Sequence, residues 1–286
     1  MKKFALRYGL YVPNFGKISA LSYVDLACEA EKAGWDGFFL WDHIVEWNMH
    51  VQLFDSFTIL AAIAVRTKRI RLGTTVTPLP RLKPWTAARQ AVCIDHLSNG
   101  RMTLGVGLGG EESVDYKRFD EPSDLKVLAQ KLDESLEIIT GLWSGKEFSY
   151  LNGKYFKMGK SIFLPAPVQR PRIPIWVGGM WPHKGPFKRA AKWDGTIPLR
   201  APGKLLEPSD LSEILPYVKN LRKNNLDFDV AVIGWTTGTN RTGNAEKVSR
   251  YAKQGATWWL ESLLTQRDSP ERMLARIRTR AASITY

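Results

Sequence analysis

Strand-like and helix-like segments alternate eight times along the 286 residues. Short β-rich runs bounded by Gly or Pro mark the strands, and apolar residues three and four positions apart mark the helices. An open doubly wound sheet would need fewer units and a nucleotide fingerprint after its first strand. We therefore predict a single (β/α)8 TIM barrel over residues 1–286. The predicted strands are 5–12, 36–41, 70–76, 102–106, 175–177, 195–197, 228–235 and 257–260, and the helices include 20–33, 54–66, 84–97, 184–192, 209–223, one opened by Asn244 and one capped by Ser269 and Pro270.

One stretch interrupts the alternation after strand four, at about 145–174. Its first part, 148–157, contains Asn152-Gly153, which is typical of a β-hairpin with a two-residue turn. A connector rich in proline then leads back to strand five. The sequence predicts a β-hairpin insertion in the barrel at this point.

Composition restricts the class of protein. The chain is 44% hydrophobic and 24% charged, as in globular proteins. No apolar run reaches the roughly 18–20 residues that a membrane span needs, and Arg7 interrupts the N-terminal apolar run, which we interpret as the first strand. Cys28 and Cys93 lie in helical patterns without metal-ligand spacing. We expect reduced, partly buried thiols, no metal site, no membrane and a cytoplasmic location.

The net charge of +13 raises the question of nucleic-acid binding. The basic residues are scattered, however, and no nucleic-acid motif accompanies them. Arg272, Arg276 and Arg280 recur every four residues, which suggests a solvated helix face. We expect no nucleic-acid partner; an anionic small molecule or cofactor accounts for the charge as well.

Active sites of such barrels lie at the carboxyl ends of the strands. Asp42 and His43 follow strand two. His43 could give or take a proton near neutral pH, and Asp42 could bind a cofactor donor. The alternative is a surface histidine at the start of a loop, and the pattern alone leaves both open. Among the other histidines, His50 could line the mouth, whereas His96 lies in a helix and has a structural role.

Glycine-rich segments follow strands four and five. Gly105, Gly107 and Gly109 could let backbone N–H groups surround an anion, although such a loop is often only a tight turn. Gly178 and Gly179 precede a predicted helix, whose N-terminus would add its dipole. This pattern predicts a phosphate site between the two loops.

Together these segments resemble the bacterial luciferase-like monooxygenase family, which includes deazaflavin-dependent dehydrogenases and reductases. The resemblance runs in order from about residue 4 to 200. It rests on Gly34–Gly37 with Trp41–His43, Arg69–Pro78, Ala88–Ala91 leading to Leu97–Arg101, Gly105–Gly109, Pro171–Gly179 and Arg189–Gly195.

The resemblance implies roles for individual residues. His43 would lie over the reactive face of a flavin, Asp42 near the ring or the substrate, and the Thr75–Val76 peptide would be cis behind the ring. Gly107, Gly109, Gly178, Gly179 and Met180 would surround the phosphate, and Trp181, like Trp47 and Trp85, is a candidate wall of the pocket.

The function implied is oxidation of a small organic substrate with reduced FMN and oxygen; the alternative is hydride transfer with the 5-deazaflavin coenzyme F-420. We expect a homodimer, with a separate flavin reductase as a candidate partner. Nothing after strand seven matches the extension of luciferase itself, so light emission is not expected. Two rivals are a non-catalytic flavin-binding barrel and a hydrolase; the latter needs a carboxylate pair, and Asp42, Glu111 and Glu261 form no convincing one.

Overall fold

A closed barrel of eight parallel strands, β1–β8, is the centre of the computed structural model. Each strand pairs with the next barrel strand in sequence, including β4 with β5 across the insertion. Pairing of β8 with β1 closes the ring. The structure describes residues 6–45, 50–109, 114–200, 204, 206–224, 226–237, 240–264 and 268–279. The strands are β1 Arg7–Val12, β2 Gly37–Leu40, β3 Arg71–Thr74, β4 Met102–Gly107, β5 Ile175–Trp181, β6 Gly195–Arg200, β7 Asp229–Gly234 and β8 Trp258–Ser262. The predicted barrel is confirmed.

Helices cover the outside of this barrel. Several begin at a side chain that accepts a backbone N–H of the first turn, as Ser19, Asp55 and Ser269 do. The helix predicted to open at Asn244 instead begins at Arg241, because Asn240 is its cap. The helices are α1 Ala20–Lys32, α2 Ser56–Arg66, α3 Pro84–Leu97, α4 Val114–Lys117, α5 Leu125–Trp143, α6 Lys184–Ala190, α7 Pro208–Leu221, α8 Arg241–Lys253 and α9 Pro270–Arg278.

Three aromatic side chains fill the barrel interior. The ring centroids of Phe39 and Trp176 are 5.1 Å apart, and Trp258 lies 5.5 Å from each of them. Glycines on β2 and β6 lie against these rings. A Cβ on Gly37 would overlap Phe39 of the same strand and lie 2.9 Å from Trp258 Cζ3, and one on Gly195 would lie 2.6 Å from Trp176 Cδ1. The barrel is therefore a packed core, and ligands have room only at its ends.

Gly37→Ala is expected to lower the free energy of unfolding by about 1–3 kcal/mol, because the added methyl group overpacks the aromatic core. Gly159→Ala is the matched control, since its Cβ would meet nothing within 4 Å. Urea unfolding of both variants measures the difference. Equal stabilities would contradict this account of the core.

The insertion lies between α5 and β5. It contains an antiparallel pair, Glu147–Tyr150 with Met158–Ile162. The predicted two-residue turn is wrong, since residues 151–157 connect the strands and Gly153 lacks the positive φ of a primed turn. The Glu134 carboxylate on α5 explains this, because it accepts the N–H groups of residues 154–156 at 2.8–3.1 Å and thereby holds the connection on the helix.

Two predictions about the surface are corrected. Cys93 is exposed rather than partly buried, while Cys28 is partly buried. Arg276 does not lie on a solvated face: its guanidinium points inward and pairs with Glu261. Arg280 lies outside the described residues. None of the described helices is long and apolar enough to cross a membrane.

Candidate functional site at the carboxyl ends of the strands

The predicted site residues meet at one end of the barrel. Asp42 and His43 follow Trp41 after the end of β2, Thr75 and Val76 follow β3, and Gly107 ends β4 with Gly109 two residues beyond it. The Thr75–Val76 peptide is cis, as the family resemblance implied. The mouth at the carboxyl ends is therefore the candidate site.

His43 stands on the rim with its side chain 31% exposed. The buried Asn14 fixes its backbone, because the Asn14 amide donates to the His43 carbonyl at 2.8 Å and its oxygen accepts the His43 N–H at 3.2 Å. The imidazole packs edge-on to Phe15 and tilted against Trp41, with centroids 5.8 and 5.9 Å away. These contacts restrict the ring to one orientation.

Asp115 on α4 is the partner of this imidazole, and sequence reasoning missed it. His43 Nδ1 lies 2.8 Å from Asp115 Oδ2, while Asp115 Oδ1 accepts the N–H groups of Ile44 and Val45 at 2.8 and 3.2 Å. An ionised carboxylate only accepts hydrogen bonds, so Nδ1 carries a proton, and in the neutral imidazole Nε2 carries the lone pair. His43 is thereby prepared to accept a proton at Nε2.

Arg81 connects this pair with Asp42. Arg81 is the last residue of the Leu79–Arg81 turn, and its side chain is buried. Its Nη2 lies 2.9 Å from Asp42 Oδ1, and its Nη1 lies 3.4 Å from Asp115 Oδ2. Burial raises the pKa of Asp42, and the charge of Arg81 opposes this rise. The place of Asp42 near the ring or substrate stays a prediction, and in the structure its side chain is only 3% exposed. It lies beneath the rim and acts on the site through Arg81.

Burial alone would raise the pKa of Asp115, but the hydrogen bond and charge of His43, the Ile44 N–H and Arg81 lower it overall. A lowered folded-state pKa adds stability above the unfolded value of about 3.9, and this stability is lost as the pH falls through the folded-state pKa. Asp115→Asn should cost about 1–3 kcal/mol at pH 7, and the cost should shrink below about pH 4. Urea titrations across pH measure it, with the exposed Asp227→Asn as control; a cost independent of pH would contradict the ion pairing.

Apolar side chains form the floor of the mouth. Tyr11, Val76 and Ile233 are partly buried and pack on the interior cluster. Met180 and Leu199 are neighbours in register on β5 and β6, and are 38% and 37% exposed. Burial raises the pKa of Tyr11, so its hydroxyl is neutral at physiological pH. Such a floor can accept a flat, uncharged ring.

Alternation along β5 divides the residues predicted there for the cofactor. Gly178 and Met180 share the face of the interior Trp176, whereas Gly179 and Trp181 face the helices. The Trp181 ring packs 5.4 Å from Phe187 and 6.5 Å from Tyr217, both at centroids. Trp181 therefore packs against the helices, and its role as a cofactor or pocket residue stays a prediction. A Cβ on Gly179 would overlap Pro186 of α6.

The glycines predicted to surround a phosphate have packing roles. A Cβ on Gly107 would lie 2.7 Å from Val76 Cγ2, and one on Gly178 would lie 3.0 Å from Val76 Cγ1. Gly109 has φ +87°, and its Cβ would lie 2.8 Å from Tyr116 Cε2. Moreover, Gly178 and Gly179 belong to β5 itself, not to a loop opening α6. Neither glycine therefore lies at the N-terminus of α6, which begins at Lys184.

The remaining candidates lie elsewhere. Trp85 contacts Phe156 of the insertion edge-on at 6.4 Å. His50 lies beside Gly16 and Gln52 at the edge of a separate surface cavity, and His96 bonds the Ala166 carbonyl at 2.8 Å. Trp47 and Glu111 lie outside the described residues. Asp42 and Glu261 are each paired with an arginine, which does not favour a hydrolase pair.

Comparison with known proteins finds relatives of the two kinds that the sequence resemblance implied. The chain is 34% identical over 131 residues to the oxygenase component of a flavin-dependent trigonelline monooxygenase of Acinetobacter baylyi, covering 46% of this chain and 36% of that one. It is 31% identical over 181 residues to an F420-dependent glucose-6-phosphate dehydrogenase of Nakamurella multipartita, covering 62% and 51%. The matches thus span about half or less of these relatives.

A solved structure shares the whole fold. An F420-dependent secondary alcohol dehydrogenase in complex with an F420-acetone adduct superposes with a TM-score of 0.82 and 17% identity, over 98% of both chains. The family model for luciferase-like monooxygenases matches residues 12–197, more than half of the chain. The chain therefore belongs to the luciferase-like monooxygenase family.

Proposed function

We propose that this chain is a flavin-dependent oxidoreductase that oxidises a small organic substrate with reduced FMN and oxygen. The observation that carries the proposal is the juxtaposition of the His43–Asp115 pair with the apolar floor formed by Tyr11, Val76 and Ile233. The His43–Asp115 pair supplies a positioned proton acceptor, and the apolar floor supplies a surface for a flat ring. Both lie where barrels of this kind hold their active sites.

The residues at the mouth fit a flavin or a deazaflavin. Val76 fills the space above Gly107 and Gly178 and presents an isopropyl group to the mouth, and Met180 is exposed on the same side of β5. When bound, a reduced flavin supplies electrons to oxygen, and a deazaflavin carries a hydride. The apolar surroundings exclude water from the reacting atoms.

The protein's own part in the reaction is proton transfer. His43 Nε2 accepts a proton from the substrate, or returns one, while Nδ1 stays bonded to Asp115. Asp115 keeps the tautomer and orientation of the ring, and Arg81 neutralises the buried carboxylates beneath it. Asp115 and Arg81 are positioning residues in this scheme.

A cofactor phosphate near Gly107, Gly109 and Gly178 stays part of the proposal. Gly178→Asp cannot test it alone, because any Cβ at this position presses on Val76. Affinity for riboflavin compared with FMN measures the phosphate contribution without altering the chain. A phosphate contact predicts weaker binding of riboflavin.

Relatives support both cofactor classes. The trigonelline enzyme is named flavin-dependent and the glucose-6-phosphate enzyme F420-dependent, so hydride transfer with the deazaflavin is the second candidate. The name "oxygenase component" favours a separate flavin reductase as partner of this chain too. A single domain, a homodimer and a cytoplasmic location stay predictions.

Absorbance spectra of the purified chain, incubated separately with FMN and with the deazaflavin, test the proposal. Saturable perturbation of the FMN bands supports the monooxygenase, and perturbation by the deazaflavin alone supports the dehydrogenase. A non-catalytic barrel would bind a cofactor but show no turnover. Failure of both cofactors to bind would contradict the proposal.

A further inference from the structure

A second cavity, of about 560 Å³, lies where β7 and β8 end, next to the first turns of α9. Its size suits a small metabolite. Trp235 and Thr236 border it from β7, Ser262 and Leu263 from β8, and Arg272 and Arg276 from α9. The loops after strands seven and eight are where many TIM barrels bind anionic groups.

Arg276 is held with its guanidinium toward this cavity. The side chain is 14% exposed; its Nη2 lies 3.1 Å from Glu261 Oε1 and donates to the Thr236 hydroxyl. Its Nε is buried without a hydrogen-bond acceptor among the residues that the structure describes. A buried N–H of this kind gains free energy when a ligand supplies an acceptor.

Glu261 does not make the cavity acidic. Its carboxylate accepts hydrogen bonds from Trp259 Nε1 at 2.9 Å and from the Thr236 N–H at 2.7 Å, and it pairs with Arg276. These donors balance its charge.

Two more cations lie close by. Arg272 lines the cavity, and Lys247 donates to the Trp235 carbonyl at 2.9 Å, with its Nζ 5.1 Å from the indole centroid. The lining itself holds two cations, Arg272 and Arg276, and two carboxylates, Glu261 and Asp268, so Lys247 beside it gives a single excess positive charge. The excess charge favours an anion at this end of the barrel.

We propose that this cavity binds a small organic anion, with its carboxylate or phosphate on Arg272 and Arg276 and its apolar part on Trp235. The indole is 51% exposed at the edge of the cavity and offers a flat face. The site lies on different strands from His43. It is tested on the chain without flavin, so the outcome does not depend on the proposed chemistry.

Calorimetric titration of the full chain with inorganic phosphate, and separately with benzoate, tests the proposal. Arg272→Gln should weaken both ligands about tenfold or more, because it removes one cation from an exposed position without disturbing the Arg276–Glu261 pair. Arg66→Gln on α2 is the control, because it makes the same change of charge at a residue that does not line the cavity. It should leave the affinities for both ligands unchanged. Trp235→Ala should weaken benzoate but not phosphate.

The two ligands separate the sources of the anion. Saturable binding of phosphate alone assigns the site to phosphorylated compounds, and binding of benzoate alone assigns it to carboxylates. If Arg272→Gln and Arg66→Gln lowered the ligand affinity equally, the binding would be an effect of net charge. This result would overturn the proposal. Absence of saturable binding by either ligand would also overturn it.

Discussion

Arg81→Met is expected to lower the free energy of unfolding by about 3–5 kcal/mol at pH 7. The substitution leaves the buried carboxylates of Asp42 and Asp115 without the cation that lies 2.9 and 3.4 Å from them. An uncompensated buried charge costs about this much. Methionine keeps much of the side-chain volume, so the loss reports charge rather than a cavity. Urea unfolding of the wild type and the variant measures it.

Arg189→Met is the control for this prediction. Arg189 is also buried, but its partner Asp133 is half-exposed and water can solvate the carboxylate once the arginine is gone. The expected loss is therefore smaller. The loss for Arg81→Met should also diminish at low pH, where the two carboxylates become protonated. Equal losses for both arginines at every pH would show that Arg81 does not balance a buried pair.

His43→Ala is expected to lower kcat by about 10²–10⁴-fold on a substrate that the wild type accepts, because a positioned acid or base contributes this much. Cofactor affinity should change far less, since the apolar floor remains intact. Stopped assays give kcat, and flavin titration gives the affinity of the same preparation. The melting temperature of the variant is measured in parallel.

His96→Ala is the matched control, because this exposed histidine bonds only a backbone carbonyl of the connector in the described residues. It should keep the wild-type kcat. A lowered melting temperature with normal turnover in His43→Ala would assign His43 a structural role and remove the basis for proton transfer.

The barrel was predictable because its signals are local. Strand and helix periodicity placed β1–β8, and the strand ends placed His43 and the Thr75–Val76 peptide at the mouth. The predicted strand β5 ended too early, at residue 177, because glycine is depleted in strands and Gly178 follows there. In the structure, Gly178 and Gly179 continue the strand, since Val76 and Pro186 fill the space of their missing side chains.

The partners of His43 were not predictable from periodicity. Asp115 is 72 residues from His43 in sequence, and Arg81 is 39 residues from Asp42. Only the closed barrel brings them together, and a short helix after a glycine-rich loop carries no spacing signal that selects Asp115. Arg276 was misassigned because it adjoins Ile277 at the border of the apolar face of α9, where helical periodicity does not decide the direction of a side chain.

The central claim is that a flavin ring lies on the apolar floor beside His43, and Met180→Trp tests it most directly. The larger side chain occupies the mouth without entering the core, because Met180 is exposed at the end of β5. Leu97→Trp on α3 is the control, at a position that is 49% exposed against 38% for Met180. We predict that Met180→Trp weakens the bound cofactor, FMN or deazaflavin, about tenfold or more, whereas Leu97→Trp binds like the wild type. Equal dissociation constants for all three proteins, measured by flavin fluorescence, would contradict the claim.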